Sequence, residues 1–431
     1  MDYVEIIILA LSFFLLISAG VPITVSLALS SFFTLVLTVI FEASVTTVAQ
    51  RMINGIDSFT LLAIPFFILA GQIMNSGGIA VRLIDFAKTL VGPLRGGLLS
   101  VNILACMLFG AISGSAAAAA SAIGSILTNN MEKEGYDKGF TTAVNVTSAT
   151  TGLLIPPSNV LIVYSLAAGG LSIGALFLAG YIPGILISIV LIIISYVYAR
   201  KKNYPKGEFW SGSELLRTFV RAFPSLLLLV VVMGGIVMGY FTATEAAAVA
   251  VLYTFLLALA YRELSWEKFK KILVDSSITT AIVLLLVATS SSMSWVMSYG
   301  NLPQSITAGL LSLTENPIMI LIMINIILLL VGVFMDITPA ILIFTPIFLP
   351  VVQSIGIDPI HFGIIMVLNL CIGLCTPPVG NLLFVGATVA NIPFQKVLKY
   401  LIPLYIGMIA VLILITLWPQ LSLWLPELVG Y

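Results

Sequence analysis

The chain has 431 residues, of which 60% are hydrophobic and only 8% charged, whereas a soluble domain has roughly 25% charged residues. Its 18 basic and 18 acidic residues are too few for a water-facing surface of this size, and the mean hydropathy of +1.18 is typical of a polytopic membrane protein. One histidine and three cysteines exclude a multi-ligand His/Cys metal centre or a disulfide framework, and a net charge of 0 argues against nucleic-acid binding.

The apolar segments predict an all-α protein with ten membrane-crossing helices, because about 20 apolar residues cross the hydrocarbon core. The crossings are expected near residues 4–20, 22–42, 60–76, 138–170, 174–199, 218–240, 243–261, 278–299, 357–390 and 394–424. Amphipathic helices are predicted to lie along the interface at 44–58, 79–95 and 262–276.

Two of these crossings, 138–170 and 357–390, are too long for simple helices, and each has a proline pair at its middle. Proline removes a backbone donor and clashes with the preceding turn, so both helices are predicted to unwind at Pro156–Pro157 and Pro377–Pro378. Four hydroxyl side chains at 147–151 precede the first break, which is more than hydrogen bonding back to the helix requires.

Two further apolar segments, 97–131 and 314–353, are also over-long and are interrupted at their centres. The interruptions are Ser113–Ser115 and Asp336–Pro339, and both segments are predicted to be re-entrant hairpins that return to the same face. The serine hydroxyls of the first interruption can bind a carboxylate or a cation. The alternative is close helix packing through small residues.

Asp336 is an acid inside an otherwise apolar stretch, where an ionised group is costly unless a cation pairs with it. It is either a cation-coupling or proton-linked acid, or the N-cap of the return limb of its hairpin, and one residue at a tip can serve both purposes. No second acid or histidine is placed to pair with it as a hydrolase would require, so the sequence predicts a protein that is not an enzyme.

Other polar residues have simpler interpretations. Thr242 and Glu245 are spaced as a capping box at a helix start. His361 lies near the outer start of its span and is predicted to be interfacial. Cys371 and Cys375 are predicted to act as small apolar side chains.

The distribution of basic residues predicts the orientation of the chain. With the N-terminus outside, seventeen of the 18 basic residues fall on the inner side, and only Arg51 falls outside. This bias follows the positive-inside rule and would be lost if the crossing count were wrong by one. Both termini are therefore predicted on the outer face.

The two halves of the chain share a short pattern at an offset of 221 or 222 residues. The matched positions are Gly110 with Gly332, Gly152 with Gly373, Pro156 with Pro377 and Asn159 with Asn381. Five crossings in each half predict inverted repeats over 1–199 and 218–431, with scaffold helices at 1–76 and 218–299 and a cytoplasmic linker at 200–217. Paired discontinuous elements in inverted repeats are typical of secondary transporters, where free carbonyls bind cations and helix N-termini bind anions.

Five segments in this order resemble the large membrane subunit of tripartite ATP-independent periplasmic (TRAP) transporters. They are GAISGSAAAAASAIGSI, TGLLIPPSN, TATEAAAV, GVFMDITPAILIFTPIFLP and IGLCTPPVGN. The resemblance implies an elevator-type fold in the bacterial inner membrane, with both termini periplasmic, and coupling to Na⁺ with no other cofactor. It also implies three partners: a small four-helix membrane subunit on a separate chain, a soluble periplasmic binding protein, and the acidic solute that this protein delivers.

The resemblance further implies two sodium sites. One lies between Ser113–Ser115 and Gly152–Pro156, and the other between Asp336–Pro339 and Gly373–Thr376. The sodium ligands are expected from Ser113, Gly152, Ile155, Pro156, Asp336, Thr338, Gly373, Thr376, Pro377 and Gly380. The substrate contacts are expected from Ser113, Ser115, Thr151, Ser158, Asn159 and Asn381.

Members of this family carry C4-dicarboxylates, sialic acids and other carboxylates. The five alanines after Ser115 favour a bulkier acid such as sialic acid. A stand-alone sodium-coupled anion symporter that needs no binding protein is the alternative function, and a scaffold subunit without transport is a third interpretation.

Overall fold

The computed structural model describes residues 3–76, 78–207, 211–377 and 380–431, and every regular element in these ranges is a helix. The first half contains α1 (Tyr3–Ser18), α2 (Ile23–Thr38), α3 (Phe41–Ile56), α4 (Ala63–Ser76), α5 (Ile79–Val91), α6 (Gly97–Ser113), α7 (Ala116–Lys133), α8 (Lys138–Ala149), α9 (Asn159–Ala167) and α10 (Ile173–Lys201). The second half contains α11 (Gly212–Val237), α12 (Ala243–Ala260), α13 (Trp266–Tyr299), α14 (Leu302–Leu313), α15 (Pro317–Phe334), α16 (Ile337–Ser354), α17 (Pro359–Leu374), α18 (Asn381–Ala390), α19 (Gln395–Leu417) and α20 (Gln420–Val429).

Seven of the described helices are long and apolar enough to cross a membrane, or eight if α3 and α4, which are bent by 62°, form one span. The seven are α10, α11, α12, α13, α15, α16 and α19. The predicted all-α, multi-pass membrane fold is therefore confirmed. The count of ten crossings stays a prediction, because the remaining expected spans correspond to shorter helices or to helices broken by turns.

The helix breaks fall inside the over-long apolar segments. The segment 97–131 divides into α6 and α7, and the segment 314–353 divides into α15 and α16. The first proline pair separates α8 from α9, with a 3₁₀ turn at Thr150–Leu153 between them. The second break separates α17 from α18, and Pro378 of its proline pair lies outside the described residues.

Helix α13 differs from the prediction. It is one helix of 34 residues, whereas the sequence predicts an interfacial arm at 262–276 followed by a separate span. The predicted break is wrong because the junction, Asp275–Ile278, contains neither glycine nor proline and continues the helix without interruption. Helix α14 was not predicted, because its 12 residues are too few for a crossing.

His361 is also not where the sequence predicts it. Its side chain is only 1% exposed, so it is buried within the protein and not at the interface. The Tyr164 hydroxyl donates to the Pro359 carbonyl at 2.6 Å, which places α9 over the first turn of α17. Helix α17 packs on α9 and α10 of the first half as well as on α15, so the burial of its residues depends on packing that its own segment does not show.

The other simple interpretations are confirmed. Thr242 Oγ1 accepts from the Glu245 backbone N–H at 3.3 Å, and Glu245 Oε2 accepts from the Thr242 N–H at 2.8 Å, which completes the capping box of α12. Cys371 and Cys375 are both fully buried in α17 and its C-terminal turn. Each places its sulfur 3.7 Å from a backbone carbonyl of the first broken helix.

In each half, one pair of glycines brings the hairpin against the broken helix. A Cβ on Gly152 would lie 2.4 Å from the Gly110 Cα, and a Cβ on Gly373 would lie 2.5 Å from the Gly332 Cα. Real Cβ contacts are essentially never this short, so only glycine permits these two backbone contacts. The hairpin and the broken helix of each half are therefore held together backbone to backbone.

The two halves pack against each other through α9 and α18, the helices that follow the two breaks. Helix α9 packs on α16 of the second hairpin, and α18 packs on α7 of the first hairpin. Around this centre, α4 packs against α12, while α13 packs against α2 and α3. The four discontinuous elements thus form one packed unit, bordered by long helices from both halves.

Candidate functional site

The tip of the first hairpin is a two-residue turn between α6 and α7. Gly114 has a φ of +63°, which favours glycine, and Ser115 follows as the N-cap of α7. The Ser115 hydroxyl accepts from the Ala118 N–H at 3.2 Å, and the Ser113 hydroxyl accepts from the Ser115 N–H at 3.4 Å. Both serines therefore shape the tip with their own oxygens.

The tip of the second hairpin is built around Asp336. This residue is the N-cap of α16, and its Oδ1 accepts from the Ile337 N–H at 2.8 Å. The carboxylate also lines the central cavity described below. The geometry thus agrees with the capping interpretation and leaves the same carboxylate facing an open space, as a coupling acid would require.

The first break presents backbone groups that no α-helix uses. Residues 154–157 lie between the 3₁₀ turn and Ser158, the N-cap of α9, so their carbonyls are outside both helical hydrogen-bond ladders. The Pro156–Pro157 peptide bond is cis. Ser158 caps α9, accepting from the Leu161 N–H at 3.4 Å and donating to the Leu153 carbonyl at 2.5 Å.

The second break is a tighter turn. Thr376 donates its N–H to the Gly373 carbonyl at 2.8 Å, and Gly380 donates its N–H to the Thr376 carbonyl at 3.1 Å. A Cβ on Gly380 would lie 2.9 Å from the Thr376 carbonyl oxygen, so this position of the turn has no room for a side chain. The Tyr405 hydroxyl of α19 donates to the Cys375 carbonyl and ties the turn to its neighbour.

A central cavity of about 310 Å³ lies where the two tips and the two breaks converge. It brings together six of the residues that the sequence predicts for the site, two from each tip and one from the start of each half-helix after a break. They are Ser113, Ser115, Asp336, Thr338, Asn159 and Asn381. Its other walls come from α4, α13 and the alanines at 116–118.

The remaining predicted residues are not among the described residues that line this cavity. Two hydroxyls are directed at nearby backbone: Thr151 donates to the Ser148 carbonyl at 2.6 Å, and Thr376 to the Ile372 carbonyl at 2.8 Å. The predicted positions outside the cavity lining are Thr151, Gly152, Ile155, Pro156, Ser158, Gly373, Thr376, Pro377 and Gly380. They lie in the turns behind the cavity, where a ligand would meet backbone carbonyls and not side chains.

The fixed charge on the described lining of the cavity is negative. Asp336 is the one acidic residue among the described residues that line it, and none of those residues is basic. The other polar groups are hydroxyls and amides. A bound anion would therefore meet a like charge and dipoles, without a fixed cation.

Comparison with known proteins identifies the family. A family model described as the DctM component of tripartite ATP-independent periplasmic transporters matches residues 10–421. The chain belongs to the DctM family.

Three relatives are similar over nearly their whole length. The protein YgiK of Salmonella typhimurium is 54% identical over 423 residues, covering 98% of this chain and 97% of YgiK.

Two further relatives carry substrate names. The sialic acid TRAP transporter large permease protein SiaM of Vibrio cholerae is 41% identical, covering 96% of this chain and 97% of SiaM. The C4-dicarboxylate TRAP transporter large permease protein DctM of Pseudomonas aeruginosa is 42% identical, covering 90% of this chain and 91% of the relative. This DctM-family chain is accordingly a multi-pass membrane permease and not an enzyme, and it is one component of a tripartite transporter.

A solved structure shares the fold. The YdaH transporter of Alcanivorax borkumensis superposes with a TM-score of 0.64 at 12% sequence identity, covering 88% of each chain. Such a likeness at low identity concerns the arrangement of helices alone. It agrees with the transporter architecture that the DctM family assignment gives.

The structure adds residues that the sequence interpretation missed. Gln72 and Asn75 of α4 and Thr279 of α13 line the central cavity of this DctM-family chain. Gln72 and Asn75 lie on the same face of α4 as Ile64, Ile68 and Gly71, which also line the cavity. The sequence contained a signal for these residues, because polar side chains on an otherwise apolar span indicate a functional site.

Each half also contains a buried asparagine pair. Asn102 donates from Nδ2 to Asn145 Oδ1 at 3.3 Å, and Asn145 donates to the Ala120 carbonyl at 2.8 Å. In the second half Asn369 donates to Asn325 Oδ1 at 2.9 Å. Each pair joins the first limb of a hairpin to the broken helix of the same half. Buried amide groups need hydrogen-bond partners, and within each pair one side chain supplies a partner for the other.

Proposed function

We propose that this chain is the transport subunit of a sodium-coupled secondary importer of an acidic organic solute. A periplasmic binding protein delivers the solute, and a small four-helix membrane subunit on a separate chain completes the complex. The complex lies in the bacterial inner membrane with both termini of this chain periplasmic, an orientation that would put seventeen of the 18 basic residues on the inner side, as the positive-inside rule favours.

The observation that carries this proposal is the position of Asp336 in a cavity without a basic lining residue among those the structure describes. Two carboxylates about 6 Å apart repel by about 3 kcal/mol at an effective dielectric constant of about 20. A cation beside Asp336 cancels that repulsion, so a carboxylate solute and a cation bind more favourably together than singly. This coupling free energy is what symport requires.

The turns behind the cavity supply the ligands that a desolvated Na⁺ needs. Carbonyls of residues 154–157 lie outside the helical ladders, and Gly152 contacts the first hairpin directly. In the second half, Asp336 and Thr338 belong to the tip whose hairpin contacts Gly373. Oxygen ligands of these two kinds suit hard cations.

An elevator motion is the transport step that suits this packing. The hairpins and broken helices are joined by glycine contacts within each half and interlock between the halves. Such a unit can move as one body past α2–α4 and α11–α14, and the cavity lies on the boundary because α4 and α13 line it. With Asp336 and a monocarboxylate both ionised, two Na⁺ make the loaded cavity neutral, whereas the solute alone leaves two negative charges in it.

The solute is proposed to be a carboxylate in the size range of sialic acids or C4-dicarboxylates, the solutes named for two relatives. A cavity of about 310 Å³ is at the small end of ligand pockets, which span roughly 300–1,000 Å³. The alanines at 116–118 leave one wall of it free of large side chains.

Uptake into proteoliposomes tests the proposal. The complex of this chain with its small subunit is supplied with the binding protein and radiolabelled succinate or N-acetylneuraminate, under an inward Na⁺ gradient or an equal K⁺ gradient. We expect uptake only with Na⁺ and only with the binding protein. Uptake that proceeds equally with K⁺ contradicts sodium coupling, and uptake without the binding protein favours a stand-alone symporter.

A further inference from the structure

A second cavity of about 390 Å³ lies apart from the central one, between α3 and α13 on one side and α9 and α16 on the other. We call it the Arg51 cleft. Its polar lining consists of Arg51, Asn54, Ser290, Ser291, Ser294 and Ser298, and the ring of Trp295 forms one wall. None of the described residues that line it is acidic.

Arg51 gives the cleft a positive charge. Its guanidinium lies 4.8 Å from the centre of the Trp295 ring, which holds the group over the aromatic face. The side chain is exposed, and the two ion pairs found among the described residues join other partners, Arg82 with Glu263 and Lys138 with Glu132. Arg51 is also the one basic residue that the sequence predicts on the outer face.

Serines of α13 line the same cleft as Arg51. Ser290 is 3% exposed, lines the cleft, and its Oγ has no hydrogen-bond partner among the described residues. Ser291, Ser294 and Ser298 line the same cleft. A buried hydroxyl without a partner costs free energy, so a ligand hydroxyl that reached Ser290 would supply the partner that the described residues do not.

The cleft and the central cavity lie along the same three helices. Helix α16 contributes Thr338 to the cavity and Leu342 to the cleft, and α9 contributes Val163 and Leu166 respectively. At 1.5 Å per residue these pairs are only about 6 Å and 4.5 Å apart along their helices. The cleft and the central cavity are therefore neighbours along α9 and α16.

We infer that the Arg51 cleft is a second binding site for the acidic solute, in which Arg51 binds the carboxylate and the α13 serines bind hydroxyls of a polyhydroxylated acid. Arg51 is suited to this because its planar guanidinium binds a carboxylate through two parallel hydrogen bonds. The inference rests on the proposed function for the class of solute. It makes the cleft the reception site from which the solute passes to the cavity beside Asp336.

Tryptophan fluorescence tests the site directly. The complex with the small subunit is placed in nanodiscs without the binding protein, and N-acetylneuraminate, gluconate and succinate are titrated at constant ionic strength, with chloride as the anion control. We expect at least one organic acid to change the emission, and Trp295→Phe to abolish that change. Arg51→Gln should weaken the binding at least tenfold, and Arg51→Lys by less.

Arg82→Gln is the matched control. The Arg82 guanidinium also lies over an aromatic ring, 3.6 Å from the centre of Tyr261, but it is not in the cleft. This variant should bind within twofold of the unmodified complex. Equal binding by the Arg51 and Arg82 variants, a response to chloride alone, or no Trp295-dependent response to any of the acids would overturn the inference.

The uptake assay separates this inference from the proposed function. Absence of sodium-dependent uptake together with an Arg51-dependent fluorescence response contradicts the transport proposal and supports the cleft. Sodium-dependent uptake whose KM is unchanged by Arg51→Gln, together with unchanged fluorescence binding, contradicts the cleft and supports the transport proposal. If the cleft bound only carboxylates of a partner protein, the free acids would give no response, and the inference would again be overturned.

Discussion

The two hairpin tips use the same backbone device with different charge. In each, a hairpin limb contacts a broken helix through a pair of glycines, and the residue that follows the turn caps the return helix with an oxygen. The first cap is Ser115, which is neutral, and the second is Asp336, which can carry a negative charge. The repeated backbone gives the two tips the same shape, and the change of one capping residue gives them different charge.

Asp336→Asn is the sharpest way to remove that difference. Asparagine also caps helices, so the tip should keep its turn while the charge is lost. We expect sodium-dependent uptake to fall about a hundredfold, equivalent to about 2.7 kcal/mol. Proteoliposome uptake at varied Na⁺ measures it, and Glu245→Gln, which changes an acid of the α12 capping box outside the cavity, should stay within twofold. Normal sodium dependence in Asp336→Asn would contradict the role of this charge.

The glycine contacts should be equally important in both halves. Gly152→Ala and Gly373→Ala each place a Cβ within 2.5 Å of a backbone Cα, and overpacking of this kind costs about 3 kcal/mol. We expect both variants to melt at clearly lower temperature in detergent. Gly309→Ala of α14 is the control, since its Cβ meets nothing within 4 Å. A large loss in one half and none in the other would show that the contacts are not equivalent.

Ser115→Asp converts the first tip into a copy of the second. Aspartate keeps the cap but adds a second negative charge to the central cavity. The solute KM for uptake should rise about tenfold, equivalent to about 1.4 kcal/mol, because the carboxylate is repelled without an added cation. Ser115→Asn is the neutral control and should show little change. Equal KM values for the two variants would mean that charge at this tip is irrelevant.

The asparagine pairs allow a finer comparison of the halves. Asn145 accepts from Asn102 and Cys106 and donates to Ala120, whereas the Oδ1 of Asn369 has no partner among the described residues. Asn145→Leu should therefore lower the free energy of unfolding by about 1 kcal/mol more than Asn369→Leu. Thermal melts of the two variants measure the difference, and the reverse order would contradict it.

The sequence was sufficient to predict the broken elements, because their causes are local. A proline pair removes backbone donors and clashes with the preceding turn, and an aspartate favours the start of a helix, so both breaks have causes in the local sequence. The direction of each hydroxyl was not predictable in the same way. Thr151 and Ser158 donate to carbonyls within a few residues, and this depends on the exact turn between α8 and α9.

Errors arose where distant helices decide the environment. His361 was predicted to be interfacial because it lies near a helix start, but its side chain is only 1% exposed among the packed helices. Gln72 and Asn75 were overlooked because α4 was regarded as scaffold, although their polarity on an apolar helix was visible in the sequence. Burial and proximity across the repeats are properties of the fold and not of any segment.

The length of α13 has a mechanical consequence. A continuous helix of 34 residues is about 51 Å long, roughly 20 Å more than the hydrocarbon core. The surplus lies toward its first turns, where Lys268, Lys270 and Lys271 suit the headgroup layer. Because α13 borders both the central cavity and the Arg51 cleft, spin labels on α13 and α16 would report the proposed elevator motion as a change in the distance between these two helices.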